Sequence, residues 1–103
     1  MIQHVVLMKF KQDVDDADAD ALAALLDDLP NTIIEIIAYE FGRDVVRSPR
    51  SYDFGLVSLF ANLEALDRYR RHPAHLVVVE KLTAMCDDII AVDFESSDVT
   101  PRP

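Results

Sequence analysis

The chain has 103 residues, half of them hydrophobic, and a formal net charge of −9. That length gives one domain with a modest core, and the composition favours folding over disorder. The charge repels phosphate backbones and anionic lipid, so nucleic acid and membrane surfaces are poor partners; its plainest role is solubility.

A single cysteine, Cys86, forms no internal disulfide and supports no cysteine-based zinc cluster, which points to a reducing, cytoplasmic setting. Residues 1–9 lack the basic start, long apolar run and small-residue cleavage site of a signal peptide. No apolar run approaches the roughly 18 residues that span a bilayer.

Residues 2–10 read as a strand with two faces: Ile2, His4, Val6, Met8 and Phe10 on one, and Gln3, Val5, Leu7 and Lys9 on the other. Asp15 or Asp16 caps a helix whose stripe is Leu22, Leu25, Leu26 and Leu29, with Pro30-Asn31 as its stop. The acidic run over residues 13–20 lacks the glycine and terminal glutamate of a calcium loop and reads as a solvated helix start. Residues 33–41 read as a second strand and residues 52–60 as a third, in which Gly55 permits a close approach or simply packs.

Asn62 caps a short helix, and Pro73 opens another with Leu76, Val79, Leu82, Thr83 and Cys86 at helical spacing. Residues 89–94 form the fourth strand. The domain covers residues 1–95, followed by a polar tail over 96–103. The order βαββαβ gives an α+β, ferredoxin-like domain: a four-stranded antiparallel sheet with its helices on one face. Strands apolar on both sides imply that the other face is covered too, which a homodimer packed sheet against sheet would achieve.

Tyr69, His72 and His75 fall within seven residues, around the break at Pro73. The bend can aim Tyr69, ending one helix, and His75, opening the next, at one point. A phenol that donates a hydrogen bond and an imidazole that exchanges protons near neutral pH make a pocket with acid/base capability. Alternatively, His72 and His75 bond helix-end carbonyls and stabilise the bend. His4, on an apolar strand face, also reads as a satisfied core histidine. The i, i+4 histidine pair of a helical metal site is missing, so neither metal nor cofactor is expected.

These residues carry a resemblance. The stretches His4-Val5-Val6-Leu7-Met8-Lys9-Phe10-Lys11, Tyr39-Glu40-Phe41-Gly42-Arg43-Asp44, Tyr52-Asp53 and Phe60-Ala61-Asn62-Leu63, with Tyr69, His72-Pro73-Ala74-His75 and Asp93, span nearly the whole chain. The chain resembles the stress-responsive A/B barrel domain (Dabb) family, most specifically in Tyr-x-x-His-Pro-x-His. The resemblance implies a dimeric α+β barrel of two ferredoxin-like subunits. The family is largely of unknown function and includes stress-induced plant proteins and a branch of plant polyketide cyclases. In that branch the pocket lies between helices and sheet, and its catalytic pair is similar to Tyr69 and His75: the histidine is general base on a carbon acid, and the tyrosine holds it and the substrate. His4 matches a further pocket histidine. At strand three the cyclase branch carries a histidine where this chain has Phe54.

The resulting expectation is a small hydrophobic or carbonyl ligand, with Tyr69 and His75 as catalytic candidates and His4, Phe54 and His72 as substrate-binding candidates. The alternative is a non-catalytic binding or stress-protective protein.

Overall fold

The computed structural model describes residues 1–96. In chain order the elements are β1 (Ile2–Phe10), α1 (Asp16–Thr32), β2 (Ala38–Arg43), β3 (Phe54–Phe60), α2 (Leu63–Arg71), α3 (Pro73–Met85) and β4 (Cys86–Glu95). The strands form one antiparallel sheet in the order β2-β3-β1-β4. This is the ferredoxin-like α+β arrangement expected from the element order. No described helix is long and apolar enough to cross a membrane.

The two faces of β1 separate as their side chains dictate. Ile2, His4, Val6 and Met8 are buried, while Leu7 and Lys9 are exposed. Each buried aliphatic side chain on that strand contributes about 1.5–3 kcal/mol. They meet Leu22, Leu26 and Leu29 of α1, Leu66 and Tyr69 of α2, and Val78 and Leu82 of α3 in one core. The opposite face presents Leu7, Val57, Ile90, Val92 and Phe94 to solvent, Val92 and Phe94 with about half their surface exposed (56% and 49%).

Local chemistry sets the helix starts. Asp15 accepts from the Asp18 N–H at 2.9 Å while Asp18 accepts from the Asp15 N–H at 3.1 Å, a reciprocal capping box. Asn62 accepts from the Ala65 N–H at 2.9 Å to open α2. Pro73 stands in the first turn of α3, where its missing N–H costs nothing.

Several boundaries differ from the sequence reading, β3 beginning at Phe54 rather than residue 52 and β4 spanning Cys86–Glu95 rather than 89–94. Helix α1 runs through Pro30 to Thr32 and closes where the Ile33 N–H meets the Leu29 carbonyl at 2.8 Å. The φ of Pro30 suits a helix, and only the Leu26 carbonyl loses its donor, so the last turn survives. Strand β2 begins at Ala38, not residue 33, because Ile33 is spent as a buried helix cap and residues 34–37 turn, leaving Ile34 91% exposed. In α3 the buried residues are Val78, Leu82 and Met85, whereas Leu76 and Thr83 face out, and Cys86 begins β4. Four consecutive apolar residues at 76–79 give periodicity no single face to mark. Beyond Ser96, the polar tail lies outside the described residues.

Candidate functional site

A cavity of about 170 Å³ lies between the sheet and the helices. Its walls are mostly aliphatic, from Val6, Met8, Leu26, Leu56, Val78 and Leu82 among others. Its polar groups are His4 from β1, Tyr39 from β2, Tyr69 from α2 and His75 from α3. Three of the five candidates drawn from the sequence (Tyr69, His75 and His4) therefore share one cavity.

The break between α2 and α3 positions two of them. Tyr69 lies in the last turn of α2 and is buried. His72 ends α2 and begins α3, its Nδ1 accepting from the Ala74 N–H at 3.0 Å. His75, one turn on, has Nδ1 at 3.0 Å from the Arg70 carbonyl oxygen. A carbonyl oxygen only accepts, so Nδ1 of His75 carries the proton and Nε2 holds the lone pair. Burial lowers the His75 pKa below its ordinary 6.5; the hydrogen bond to the Arg70 carbonyl opposes this, and the nearby His4, Arg70 and His72 charges add smaller lowering effects. At neutral pH His75 is therefore an uncharged imidazole with Nε2 basic.

No hydrogen bond joins Tyr69 to His75. Their rings lie 4.3 Å apart at 45°, and the Tyr69 hydroxyl bonds that of Tyr39 at 3.0 Å. Burial raises the pKa of both phenols, so both stay protonated. In such a pair one hydroxyl donates to the other, and the accepting hydroxyl keeps its own proton to offer a ligand.

His4 is held from below. The antiparallel register sets it opposite Asp93, and its Nδ1 is hydrogen-bonded to Asp93 Oδ1. The second carboxylate oxygen accepts from Arg70 Nη2 at 2.7 Å. An ionised carboxylate only accepts, so Nδ1 of His4 also carries the proton. The His4 ring stands edge-on to Tyr69 at 6.0 Å.

His72 and Phe54 are placed outside the cavity lining. His72 caps α3, and Phe54, only 2% exposed, stacks on Phe41 at 6.1 Å and 15° with Phe10 at 6.0 Å. The sequence reading did not propose Tyr39, Asp93 or Arg70 as site residues. Asp93 carried a usable signal: it has the same strand parity as Ile89 and Ala91, which line the cavity, so it lies on the cavity side of β4. Among the described residues, no three His, Cys, Asp or Glu side chains gather as metal ligands would.

The comparisons with known proteins bear on the whole chain. The model of the stress responsive A/B barrel domain matches residues 2–96. The chain belongs to the stress responsive A/B barrel domain family. Within it, the chain is 27% identical over 101 residues to stress-response A/B barrel domain-containing protein HS1 of Arabidopsis thaliana, covering 96% of this chain and 93% of that protein. It is 32% identical over 100 residues to a second, longer stress-response A/B barrel domain-containing protein of the same plant, where the match takes in 91% of this chain but spans only 36% of the relative. Among solved structures, a dimeric ferredoxin-like protein of unknown function from Thermobifida fusca superposes with a TM-score of 0.84 at 28% identity, over 90% of this chain and 88% of that one. This A/B barrel domain thus shares its fold with a dimer whose activity is not known.

Proposed function

We propose that the cavity binds a small, mainly apolar carbonyl compound and that His75 removes a proton from a carbon next to its carbonyl. The supporting observation is the bond from His75 Nδ1 to the Arg70 carbonyl, which leaves Nε2 as the base beside the Tyr69 ring. A neutral imidazole near pH 7 is basic enough to accept that proton and unprotonated enough to be ready for it. The proton held by the Tyr39–Tyr69 pair is available for the carbonyl oxygen, where negative charge gathers as the carbon acid ionises. In a cyclisation like that of the polyketide-cyclase branch, the carbanion then attacks a second carbonyl carbon of the same compound, the π bond of that carbonyl breaks, and its oxygen takes the proton from His75; in an isomerisation His75 instead returns the proton to a different carbon. An apolar cavity of about 150 Å³ in another protein takes up benzene; the volume here suits a ligand of about one ring.

The site would work in a homodimer. The exposed apolar face of the sheet, with Val57, Val92 and Phe94, is the surface a second copy would cover, and the dimeric neighbour supports that assembly. The single free, buried Cys86 accords with a reducing, cytoplasmic location. The test is an NMR titration with small hydroxylated aromatic and β-diketone compounds. Saturable shifts at His4, Tyr69 and His75 together are expected, and a well-folded spectrum silent at all three would overturn the reading.

A second reading has its own observation. The His75–Arg70 bond also ties the start of α3 to the end of α2, so His75 serves a non-catalytic, stress-protective protein equally well as a staple. His75→Ala separates the two. A catalytic role predicts loss of proton transfer in a folded protein, and a staple predicts lower stability alone.

A further inference from the structure

We infer that Gly42 and Gly55 form a socket on the outer face of the sheet, filled by the partner subunit's Ile90 and the partner subunit's Leu7. This rests on the homodimer reading above and names the residues by which one copy recognises another. The chain has only two glycines, and both lie inside strands, Gly42 in β2 and Gly55 in β3. The register sets them directly opposite each other, in a ladder that runs without a shift. Neither has a positive φ, so neither serves a turn or a left-handed backbone. Nor does the subunit crowd them. Among the described residues, a Cβ on Gly42 would meet nothing within 4 Å, and one on Gly55 would meet only Leu7 Cδ2, at an ordinary 3.7 Å. Glycine weakens a strand interior, and what it allows in return is the close approach of another body.

The same register shows which body fits. Gly42, Gly55, Leu7 and Ile90 form one row across the sheet, from β2 through β3 and β1 to β4. Half of the row is bare, and half carries large apolar side chains that stand in solvent, Leu7 38% and Ile90 43% exposed. A two-fold axis parallel to the strands, lying between two facing sheets, reverses each row and keeps its level. It sets Ile90 of the partner subunit over Gly42 and Leu7 of the partner subunit over Gly55, with the reciprocal contacts that a two-fold interface requires. A further row agrees. Phe94, Gln3, Leu59 and Ala38 also lie side by side, so the ring of Phe94 in one copy meets the small Ala38 of the other. In the row between, Val5 meets Val57, and Val92 meets Glu40, an exposed residue of the edge strand β2. An axis perpendicular to the strands would instead lay β2 on β2 and β4 on β4, small side chains on small and large on large.

The experiment is a dilution series by light scattering that gives the dimer dissociation constant of the full chain, of Gly42→Ile, of Ile90→Gly and of the two combined, with circular dichroism to check folding. Gly42→Ile is expected to fold and to dimerise more weakly by roughly a hundredfold or more, because the overpacking occurs twice in a symmetric dimer. Ile90→Gly is expected to weaken the dimer as well. The combined variant exchanges knob and hole and is expected to dimerise at least roughly tenfold more tightly than Gly42→Ile alone. An unchanged dissociation constant in Gly42→Ile would overturn the inference, as would losses that simply add in the combined variant. Should Gly42→Ile not fold, Gly55→Leu with Leu7→Gly gives the same cycle on the other half of the row, with the same outcomes deciding it. An unmodified chain that stays monomeric would sink the homodimer reading itself, whereas a dimer indifferent to Gly42→Ile would sink only the socket, so the two failures are distinguishable.

Discussion

The phenolic oxygens of Tyr39 on β2 and Tyr69 on α2 lie 3.0 Å apart, each the hydroxyl partner of the other. A strand and a helix are joined there by a polar contact within an otherwise apolar cavity wall. Replacing Tyr69 with Phe removes one hydroxyl and leaves the Tyr39 hydroxyl without that partner, at a cost of about 1–3 kcal/mol. Replacing both is expected to cost less than the sum of the single changes. Urea unfolding of the two single variants and the double variant measures this coupling; strict additivity would contradict it.

The same burial acts on ionisation. Because both phenols are held in the protonated form, Tyr39 and Tyr69 are expected to stay un-ionised through the range where exposed tyrosines titrate. Ultraviolet absorbance followed through an alkaline titration checks this, with their phenolate signal expected to appear only as the fold is lost.

His75 gives stability a pH dependence of definite sign. Its folded pKa lies below the ordinary 6.5, mainly through burial, so the unfolded ring binds a proton more readily than the folded one. Stability from this group is full above about 6.5 and falls as pH drops from there towards the lower folded value. In His75→Phe that part of the slope is expected to vanish. Denaturant melts at a series of pH values between 7 and 5 (roughly, the window in which histidine titrates) show it, and an unaltered slope would contradict it.

Phe54 is predicted to matter for stability and not for ligand. It lies in the Phe10–Phe41–Phe54 cluster, away from the cavity lining. Phe54→Ala is expected to cost about 3–5 kcal/mol. In the milder Phe54→Leu, ligand-induced shifts at His75 and Tyr69 should persist. Loss of those shifts in folded Phe54→Leu would return Phe54 to the site.

The sheet face supplies a prediction about assembly. Val92→Asp places a charge on the apolar surface of β4 and is expected to turn a dimer into a monomer. Light scattering at micromolar concentration reads the mass directly. A monomeric mass for the unmodified chain would remove the dimer from the account.

Much of the fold was legible because β1 alternates clearly, because Asp15, Asn62 and Pro73 mark helix starts, and because the element order permits few sheets. At the start of β2, local propensity was outweighed by packing. The Ile33-Ile34-Glu35-Ile36-Ile37 run looks like a strand, yet Ile33 is worth more as a buried cap on α1. The site was legible only in part. Tyr69 and His75 are close in sequence and their meeting follows from the bend. The pairing of His4 with Asp93 depends on the register between β1 and β4, and the pairing of Tyr39 with Tyr69 on a helix crossing a strand; neither is local.

The central claim is that His75 is a base towards a carbon acid, and hydrogen–deuterium exchange tests it most directly. A small β-diketone is incubated with the protein in deuterated buffer, and loss of its α-proton signal is followed by NMR. The account predicts saturable acceleration by the unmodified protein, largely lost in folded His75→Ala. Exchange no faster than in buffer, or equally fast with His75→Ala, would contradict it and leave His75 as a staple between two helices.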